Sequence, residues 1–600
     1  MKVNLKSQKP KQKWLLEQAI ITLQKSHLPA ILLLFAFCVF ALTYLFHSGL
    51  WTAHDIWHNV ARLYHYSQAL SEGRVLPHWI STLAQGHGYP LFYFSYHTPW
   101  FIGGPLVLLG LSVESAIKAV FLISYCLAGF GMYLLTHYKT KNKIAAFTAA
   151  LLYTWAPYHF LTIFVSAAIG TAVQFALFPF ILLGILLLNE SSPRNGLILT
   201  AVTMALSILA HLMTFVFLFP FVLGFFLVQL ISQHTLSIHQ TSSVAAKMTL
   251  SKLTTHTILF MVSIIVGVGL AAYYLLPLVS LLSQIKANEA GNGFSEIYLS
   301  NFATLKQLIY SRWGYGPIIS NAKDGEISLQ VGVAQWLAVV GASGLLLLQP
   351  ILKKFLSVLK LTKEKFLFIS GILLLFFIAI VAMIDLSKPI WKLAVSVTTL
   401  DYPFRLLLVT VMFGSLLAGL IVAQLSNWNK KIAAVVAVSL VMVAIYTNRN
   451  HRRVNLYTEI PLDLYVRSEV TTNTYHEYLP KSASSELLKE EQGPFVIGHI
   501  ENTQVIDRVS DGFTVSFDAS EAAQVSLRQF DFPGQIVTVN NEKILHSTDD
   551  LGRISFPVDA GHSLVTVRAH DTKISLLGKF ITGTSIALLV GSAYFWRKRI

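Results

Sequence analysis

Charged residues are scarce in this 600-residue sequence. Asp, Glu, Lys and Arg make up 12% of the residues, whereas hydrophobic residues make up 54%. Soluble globular proteins carry roughly a quarter charged residues, so this composition excludes an ordinary soluble fold. Together with a mean hydropathy of +0.59, it predicts a polytopic α-helical membrane protein.

Cysteine is also scarce, and several well-known site motifs are missing. The only two cysteines, Cys38 and Cys126, lie inside apolar segments, which excludes a disulfide framework and a zinc-finger spacing. Neither an HExxH sequence nor a DxD pair of acids occurs. The glycine pairs at 86/88 and 314/316 neither follow a predicted strand nor begin a helix. They therefore lack the context of a phosphate-binding loop.

The charges that are present are unevenly distributed. The sequence has 45 Lys and Arg against 30 Asp and Glu. Such an excess could indicate a nucleic-acid partner, but most of it falls at chain ends and turns predicted to be cytoplasmic, as the positive-inside rule requires. A basic start is followed by an apolar run without a cleavage site, which predicts a retained signal anchor with its N-terminus inside.

Apolar segments long enough to cross a bilayer recur along the chain. About twelve are predicted, since a span needs roughly 20 residues, and this even number places both termini in the cytoplasm. The predicted spans are Pro29–Leu50, Ser115–Thr136, Ile144–Phe160, Gly170–Asn189, Gly196–Leu212, Met213–Gln233, His256–Pro277, Leu329–Leu348, Phe366–Asp385, Phe404–Gln424, Ile432–Tyr446 and Ile574–Phe595. The piece Trp100–Leu111 is too short to cross, so we interpret it as interfacial or re-entrant.

The composition divides the chain into four parts. They are a basic cytoplasmic N-terminus (1–28), a transmembrane domain (29–446) with a large first outer loop (51–99), a β-rich extracytoplasmic domain (447–573), and a last span with a basic cytoplasmic tail (574–600). In the third part, runs of β-forming residues between Gly, Asp and Asn turns predict a small antiparallel sandwich. Its predicted strands are Phe513–Phe517, Gln524–Phe530, Gln535–Asn540, Arg553–Val558 and Ser563–Arg568, with a hairpin turn at Asn540 and Asn541.

The first outer loop is long, rich in aromatic residues and rich in histidine. Seven of the 20 histidines lie between His47 and His97, and long loops between packed elements are usually functional or disordered. Its many aromatic residues argue against disorder. A helical spacing puts four polar residues on one face: Asp55, His58, Arg62 and His65. This face either presents a carboxylate and cations to an anionic group or is the solvated side of an interfacial helix.

Other polar residues on the predicted outer side are candidates for binding. Arg405 follows Asp401 in the sequence LDYPFR and is predicted at the edge of the hydrocarbon, where it should pair with an acid, bind an anion or snorkel to headgroups. Arg312 and His211 are weaker candidates of the same kind. Asp55 and His58 are weak candidates for a divalent metal site.

Several motifs resemble those of one bacterial membrane protein family. An Asp comes shortly after the first span and is followed by a predicted helix. Further along, the motifs are GRVLPHW, GHGYPLFYFSYHTP, DYPFR, YLPK and FPGQIVTVNNEKI. Together they resemble the proteins labelled "6-pyruvoyl-tetrahydropterin synthase-related" and the YfhO-type proteins, over nearly the whole chain. These proteins resemble the GT-C class of membrane glycosyltransferases.

The resemblance implies a GT-C-like fold in a bacterial cytoplasmic membrane, with the active face outside. It implies transfer of a sugar from a polyprenyl-phosphate donor to an envelope glycan or lipid, with inversion at the anomeric carbon. Asp55 matches the catalytic carboxylate, and a divalent metal is possible. The implied donor-phosphate residues are Arg62, Arg405 and Arg312. The implied substrate-binding residues are His54, His58, His65, His87, His97, His211 and Tyr402.

The sequence departs from the GT-C pattern at the position of a second acid. Ile56 follows Asp55, and the second outer loop, YHFLTIFVSAAIGTAVQ, contains no acid. This weakens a metal-dependent mechanism and leaves open that the chain has kept the fold and lost the catalysis. Two alternatives to a glycosyltransferase therefore stand beside it. One is a non-catalytic envelope assembly protein. The other is a lipid or polymer transporter, although a transporter would need charges facing one another within the spans, which are almost free of them.

Overall fold

The chain is a mostly helical multi-pass membrane protein with a C-terminal β domain. Its computed structural model describes residues 26–189, 192–238, 243–288, 294–317, 326–351, 359–395, 400–467, 476–489 and 493–597. Most of the predicted basic N-terminus and the last residues of the predicted basic tail, Lys598 and Arg599, lie outside these ranges.

The described part of the chain's first half contains twelve α-helices, of which the second and third lie within the first outer loop. They are α1 (Leu28–Ala41), α2 (Ile56–Ser71), α3 (Leu91–Phe94), α4 (Thr98–Leu108), α5 (Val113–Thr140), α6 (Lys143–Thr154), α7 (Pro157–Phe160), α8 (Ile169–Asn189), α9 (Pro193–Ala210), α10 (Leu212–Ile238), α11 (Ser243–Leu270) and α12 (Ala272–Leu281). Helix α2 confirms the helix predicted from the spacing of the polar residues in the loop.

The remaining helices complete the bundle and anchor the β domain. They are α13 (Leu305–Ile309), α14 (Val333–Leu347), α15 (Lys363–Ala382), α16 (Lys388–Val395), α17 (Leu407–Trp428), α18 (Lys430–Asn448), α19 (Leu462–Arg467) and α20 (Lys573–Arg597).

Nine helices within the described residues are long and apolar enough to cross a membrane by length and composition. They are α5, α8, α9, α10, α11, α15, α17, α18 and α20, and each coincides with a predicted span. The remaining three predicted spans correspond to shorter helices, α1, α6 and α14. By helix length, nine helices of the described residues could cross a membrane, compared with about twelve predicted spans.

Local sequence explains why two of these three helices, α6 and α14, are short. Helix α6 has 12 residues, because Pro157 holds the preceding Ala156 in an extended conformation with ψ 145°. Helix α14 has 15 residues and begins only after Gly332, whose φ of 121° is not helical. Helix α1 has 14 residues, or about 21 Å of rise. Helix α4 has 11 residues, which agrees with the prediction that Trp100–Leu111 is too short to cross.

The β domain consists of two antiparallel sheets. The four-stranded sheet has the order β3-β6-β10-β9 and the five-stranded sheet the order β4-β5-β11-β7-β8. The strands are β3 (Val496–Ile497), β4 (Glu501–Val509), β5 (Gly512–Ala519), β6 (Ala523–Phe530), β7 (Gln535–Val539), β8 (Glu542–Ile544), β9 (Ser547–Thr548), β10 (Arg553–Val558) and β11 (Gly561–Ala569).

One apolar core joins the two sheets and confirms the predicted sandwich. Phe517 of β5, Leu527 of β6 and Phe556 of β10 are each buried in it. The five predicted strands coincide with β5, β6, β7, β10 and β11. The predicted hairpin turn is confirmed, because Val539 pairs with Glu542 and both intervening asparagines have positive φ, 50° and 69°.

The β domain is fastened to the first outer loop at several points. A two-stranded sheet pairs β1 (Leu50–Trp51) with β2 (Tyr457–Thr458). The Arg74 guanidinium donates to Asp511 at 2.8 Å, and Glu72 accepts from the Ser510 amide at 2.9 Å. The loop is thus a folded layer between the helices and the β domain, as its aromatic content predicts.

Gly88 provides a test of this packing. Its φ is +84°, and a Cβ added there would overlap the Trp79 indole, whereas Gly73 has the same φ of +84° with nothing within 4 Å. We expect Gly73→Ala to cost about 1–2 kcal/mol of unfolding free energy from the backbone conformation alone. Gly88→Ala should cost a further 1–3 kcal/mol or so from overpacking. Thermal unfolding of both variants in the same lipid measures the difference, and equal losses would contradict this packing.

Candidate active site

Asp55 stands at the N-terminus of α2, where an acid usually caps the helix. Its side chain makes no capping hydrogen bond. Within the described part of the chain, its partly exposed carboxylate is in no hydrogen bond or ion pair. Asp side chains at this position normally accept from the amides of the first turn. The Asp55 carboxylate is therefore left available to a ligand.

The second outer loop holds the backbone around Asp55. A single π-helical turn, Leu161–Val165, opens this loop, and such turns are frequent at functional sites. The Asp55 amide donates to the Ser166 carbonyl at 2.9 Å and the His54 amide to the Val165 carbonyl at 3.1 Å. The buried Asn59 amide group donates to the Ala167 carbonyl at 2.7 Å. This loop supplies no acid, but its carbonyls fix the position of one.

Arg62 lies two helical turns after Asp55, on the same face of α2, and faces Tyr96. Its guanidinium carbon is 5.4 Å from the centre of the Tyr96 ring. Burial disfavours the charged form of Arg62, but the neighbouring Tyr96, Tyr478, Asp55 and Glu477 outweigh burial and raise its pKa. Arg62 is therefore a permanent cation on the same face of α2 as the Asp55 carboxylate.

Tyr96 is the residue around which the charged groups gather. Burial raises its pKa, and the charges of Arg62, Asp55 and Arg405 all act on it, Arg62 also by a hydrogen bond. The Tyr96 ring stacks on His211 with 5.7 Å between ring centres. Arg62 and His211 thus contact this tyrosine, and Asp55 and Arg405 act on it electrostatically, although the four residues come from three separate parts of the sequence.

Arg405 forms a two-point ion pair with Asp401. Its Nε donates to Oδ1 at 2.8 Å and its Nη2 to Oδ2 at 2.5 Å. The two side chains are only 14% and 11% exposed. The third guanidinium nitrogen, Nη1, has a long contact of 3.4 Å with the Thr214 hydroxyl. Of the three alternatives predicted for Arg405, pairing with an acid is the one observed.

Tyr402 and His211 line the same region. The Arg405 guanidinium carbon is 5.5 Å from the centre of the Tyr402 ring. His211 Nδ1 accepts from the Thr214 amide at 3.1 Å. Burial and the nearby Arg405 lower the pKa of His211, so this imidazole is neutral at pH 7.

The five predicted histidines of the first outer loop fall into two groups. His54 and His58 flank Asp55 and are partly exposed, and His54 Nε2 donates to the Gly316 carbonyl at 2.8 Å. The other three lie deeper, as the buried residues His65, His87 and His97. His97 contacts the Tyr273 hydroxyl through Nδ1 at 2.8 Å and the Phe92 carbonyl through Nε2 at 2.8 Å, while His87 stacks on Phe530 of the β domain.

Arg312 is exposed and lies in the segment that reaches the site through Gly316. Its proposed contact with the donor phosphate is untested. The same holds for the roles in catalysis and substrate binding predicted for the other residues, which the geometry alone leaves as predictions.

The described residues around Asp55 do not form a complete metal site. Among the described residues, no three His, Cys, Asp or Glu side chains come together as a metal-binding group. His54 already uses Nε2 as a donor to a carbonyl. We therefore derive no catalytic step through a metal.

Two acids near the site, Glu477 and Asp401, are not among the site residues predicted from the sequence. Glu477, immediately before the YLPK motif, acts electrostatically on Arg62, but it is more than 400 residues from Asp55 in the sequence. Asp401 lies four residues before Arg405, which is the spacing at which oppositely charged residues often pair. This spacing could have predicted the ion pair from the sequence.

Acidification should loosen the first outer loop. Burial lowers the pKa of His65, His87 and His97 to about 4, whereas a histidine in the unfolded chain titrates near 6.5. As the pH falls, protons therefore bind these histidines in the unfolded state before they bind them in the folded state. The unfolding free energy is unaffected above pH 6.5 and falls between pH 6.5 and 4. The slope is up to about 1.4 kcal/mol per pH unit for each histidine.

Thermal unfolding between pH 7.5 and 4.5 measures this dependence. His87→Gln removes one of the three titrating groups and should make the fall shallower. A fall that is equally steep in the variant would contradict the assignment to these histidines.

Comparisons with known proteins give weak structural similarity and no sequence match. No protein-family model matches the sequence, and no curated protein matches it. Among solved structures, the chain is similar to the arabinofuranosyltransferase AftD from mycobacteria, determined by single-particle cryo-EM, at 12% identity and a TM-score of 0.43. The similarity covers 71% of this chain and 27% of that chain. A similarity this low assigns neither activity nor substrate, and the family predicted from the motifs stays a prediction.

Proposed function

We propose that this protein is a membrane glycosyltransferase that moves a sugar from a polyprenyl-phosphate donor to a cell-envelope acceptor outside the cytoplasmic membrane. The observation that carries the proposal is the Asp55 carboxylate. It stays out of helix capping, is partly exposed, and lies on the same face of α2 as Arg62, whose guanidinium contacts the Tyr96 ring. A carboxylate for proton transfer next to a cation for a leaving phosphate is the minimum that such a reaction needs.

In the proposed reaction, Asp55 accepts the proton of the acceptor hydroxyl. The resulting oxygen nucleophile attacks the anomeric carbon of the donor sugar from the side opposite the phosphate. The new C–O bond forms as the bond to the phosphate oxygen breaks, so polyprenyl phosphate leaves and the configuration is inverted. The negative charge that develops on the phosphate is stabilised electrostatically by arginine.

Arg62 is the first candidate for this phosphate contact, because it lies on the same face of α2 as Asp55. Arg405 is already engaged by Asp401 through Nε and Nη2, so only its Nη1 would reach a phosphate. A guanidinium carries five N–H donors, and two of them can serve one carboxylate while others serve a second anion. In this arrangement Arg62 binds the phosphate and Arg405 supports it.

The direct experiment is sugar transfer by the purified full-length protein in lipid. A set of polyprenyl-phosphate sugars serves as donors, and release of polyprenyl phosphate is measured with and without a detergent extract of envelope glycans. We expect release with at least one donor that depends on the extract and persists with a chelator. If no donor reacts and no lipid carrier is bound, the enzyme proposal fails and the assembly alternative takes its place.

A further inference from the structure

The β domain and the segment after α19 enclose a groove that the proposed reaction does not use. Its volume is about 650 Å³, and its lining residues come from three separate parts of the chain. Small-molecule sites typically occupy roughly 300–1,000 Å³. The lining consists of Gln284, Pro480, Lys481, Ser482, Asp531, Phe532, Pro533, Gly534, Gln535, His546 and Thr548. We call it the Asp531 groove.

The polar groups in the Asp531 groove alternate between donors and acceptors. Asp531 accepts from the Thr548 hydroxyl at 2.6 Å and contacts His546 Nε2 at 3.2 Å. Gln284 and Lys481 are exposed at the rim and add donors. One lysine against one aspartate leaves little net charge. Such a lining suits neither a strong anion nor a metal cation, but it suits a neutral ligand whose groups both donate and accept.

Apolar faces complete the lining. Phe532 is buried beneath the Asp531 groove, where it packs against Trp79 at 5.9 Å and Tyr93 at 6.1 Å between ring centres. Pro533 is exposed and adds an apolar surface to the groove, whereas Pro480 is buried in its wall. A sugar ring has both properties, because its hydroxyls lie at the edge and its C–H groups form an apolar face. The chemistry of the groove therefore matches a chain of neutral sugars.

The Asp531 groove is close to the candidate active site along one short segment. Tyr478 and Glu477 act on the charge of Arg62, and Lys481 lines the groove only three residues after Tyr478. Three residues span at most about 11 Å. The position of Lys481 in this segment is fixed by a hydrogen bond, in which its amide donates to the Gln284 carbonyl at 2.8 Å.

We propose that the Asp531 groove binds neutral sugar units of the acceptor, which makes the acceptor a glycan chain rather than a lipid. The role as acceptor site rests on the proposed function. The binding of neutral oligosaccharides does not, since it follows from the groove itself. The reacting end of the bound glycan would extend along residues 477–481 towards Asp55.

The first test measures binding without turnover. Full-length protein in lipid nanodiscs is titrated with neutral hexasaccharides of glucose, mannose, galactose and arabinofuranose, with inorganic phosphate and with an unstructured Gly-Ser peptide as separate probes. We expect at least one oligosaccharide to bind, and Gln284→Ala/Lys481→Ala to weaken its binding at least tenfold. The matched control Gln504→Ala/Lys543→Ala changes two exposed residues of the same types elsewhere in the β domain and should leave binding unchanged.

The second test measures transfer to the oligosaccharide that binds. We expect the groove variant to raise the KM for the acceptor with little change in kcat, since it removes ground-state binding, whereas Asp55→Asn should lower kcat and leave oligosaccharide binding intact. Binding of phosphate or peptide only, or oligosaccharide binding that the groove variant does not change, would overturn the proposal. Oligosaccharide binding in the groove without any transfer would overturn the enzyme proposal instead.

Discussion

Asp55→Asn should lower the kcat for sugar transfer by about 10²–10⁴-fold, because a positioned general base contributes that much to the rate. Asn has nearly the same shape but cannot accept the proton of the acceptor hydroxyl. The fold should be unaffected, since the Asp55 carboxylate neither caps α2 nor takes part in another hydrogen bond within the described residues. Initial rates with saturating donor, together with thermal unfolding, measure both effects.

Asp463→Asn is the matched control for this experiment. Asp463 is an exposed acid in α19, so the substitution makes the same chemical change outside the candidate site and should leave the rate unchanged. An Asp55→Asn protein that transfers sugar at close to the wild-type rate would remove Asp55 from the mechanism.

Asp401→Ala should cause the second large effect, a loss of stability. It leaves Arg405 as a charge without its carboxylate in a site where the side chain is only 14% exposed. Breaking a buried ion pair by removing one partner typically costs roughly 3–5 kcal/mol. We expect a clear fall in the thermal unfolding temperature of the protein in lipid.

The double variant Asp401→Asn/Arg405→Gln separates the charge from the packing. It removes both charges and keeps similar volumes, so it should recover much of the stability that the single variant loses. If the single and double variants were equally unstable, the loss would come from packing, and the ion pair would not be what holds this part of the site.

The regular elements were predictable because their signals are local. Spans of about 20 apolar residues and strands bounded by turn residues identified nine of the crossing helices and five strands. The end of one predicted span was wrong for a specific reason. The predicted span His256–Pro277 is divided after Leu270, where the Thr582 hydroxyl of α20 donates to the Gly269 carbonyl at 3.1 Å. A contact across more than 300 residues leaves no trace in the local pattern.

The site was predictable only in part, for the same reason. The two-turn spacing of Asp55 and Arg62 indicated a shared face of one helix, and that helix is present. The gathering of Arg405, Tyr96 and Glu477 around this helix face depends on tertiary packing, and no spacing in the sequence could indicate it.

The strand β4 was not predicted because nearly all its residues are exposed, so its sequence lacks the alternation of buried and exposed residues that marks a strand.

The position of a bound donor phosphate tests the central claim most directly. We would determine a cryo-EM structure of the full-length protein in lipid nanodiscs with polyprenyl phosphate. The proposal predicts the phosphate in contact with the Arg62 guanidinium, with the Asp55 carboxylate facing the space where a sugar would be attached. A phosphate bound at the opposite ends of the helices, or at the outer face but away from both Arg62 and Asp55, would contradict it.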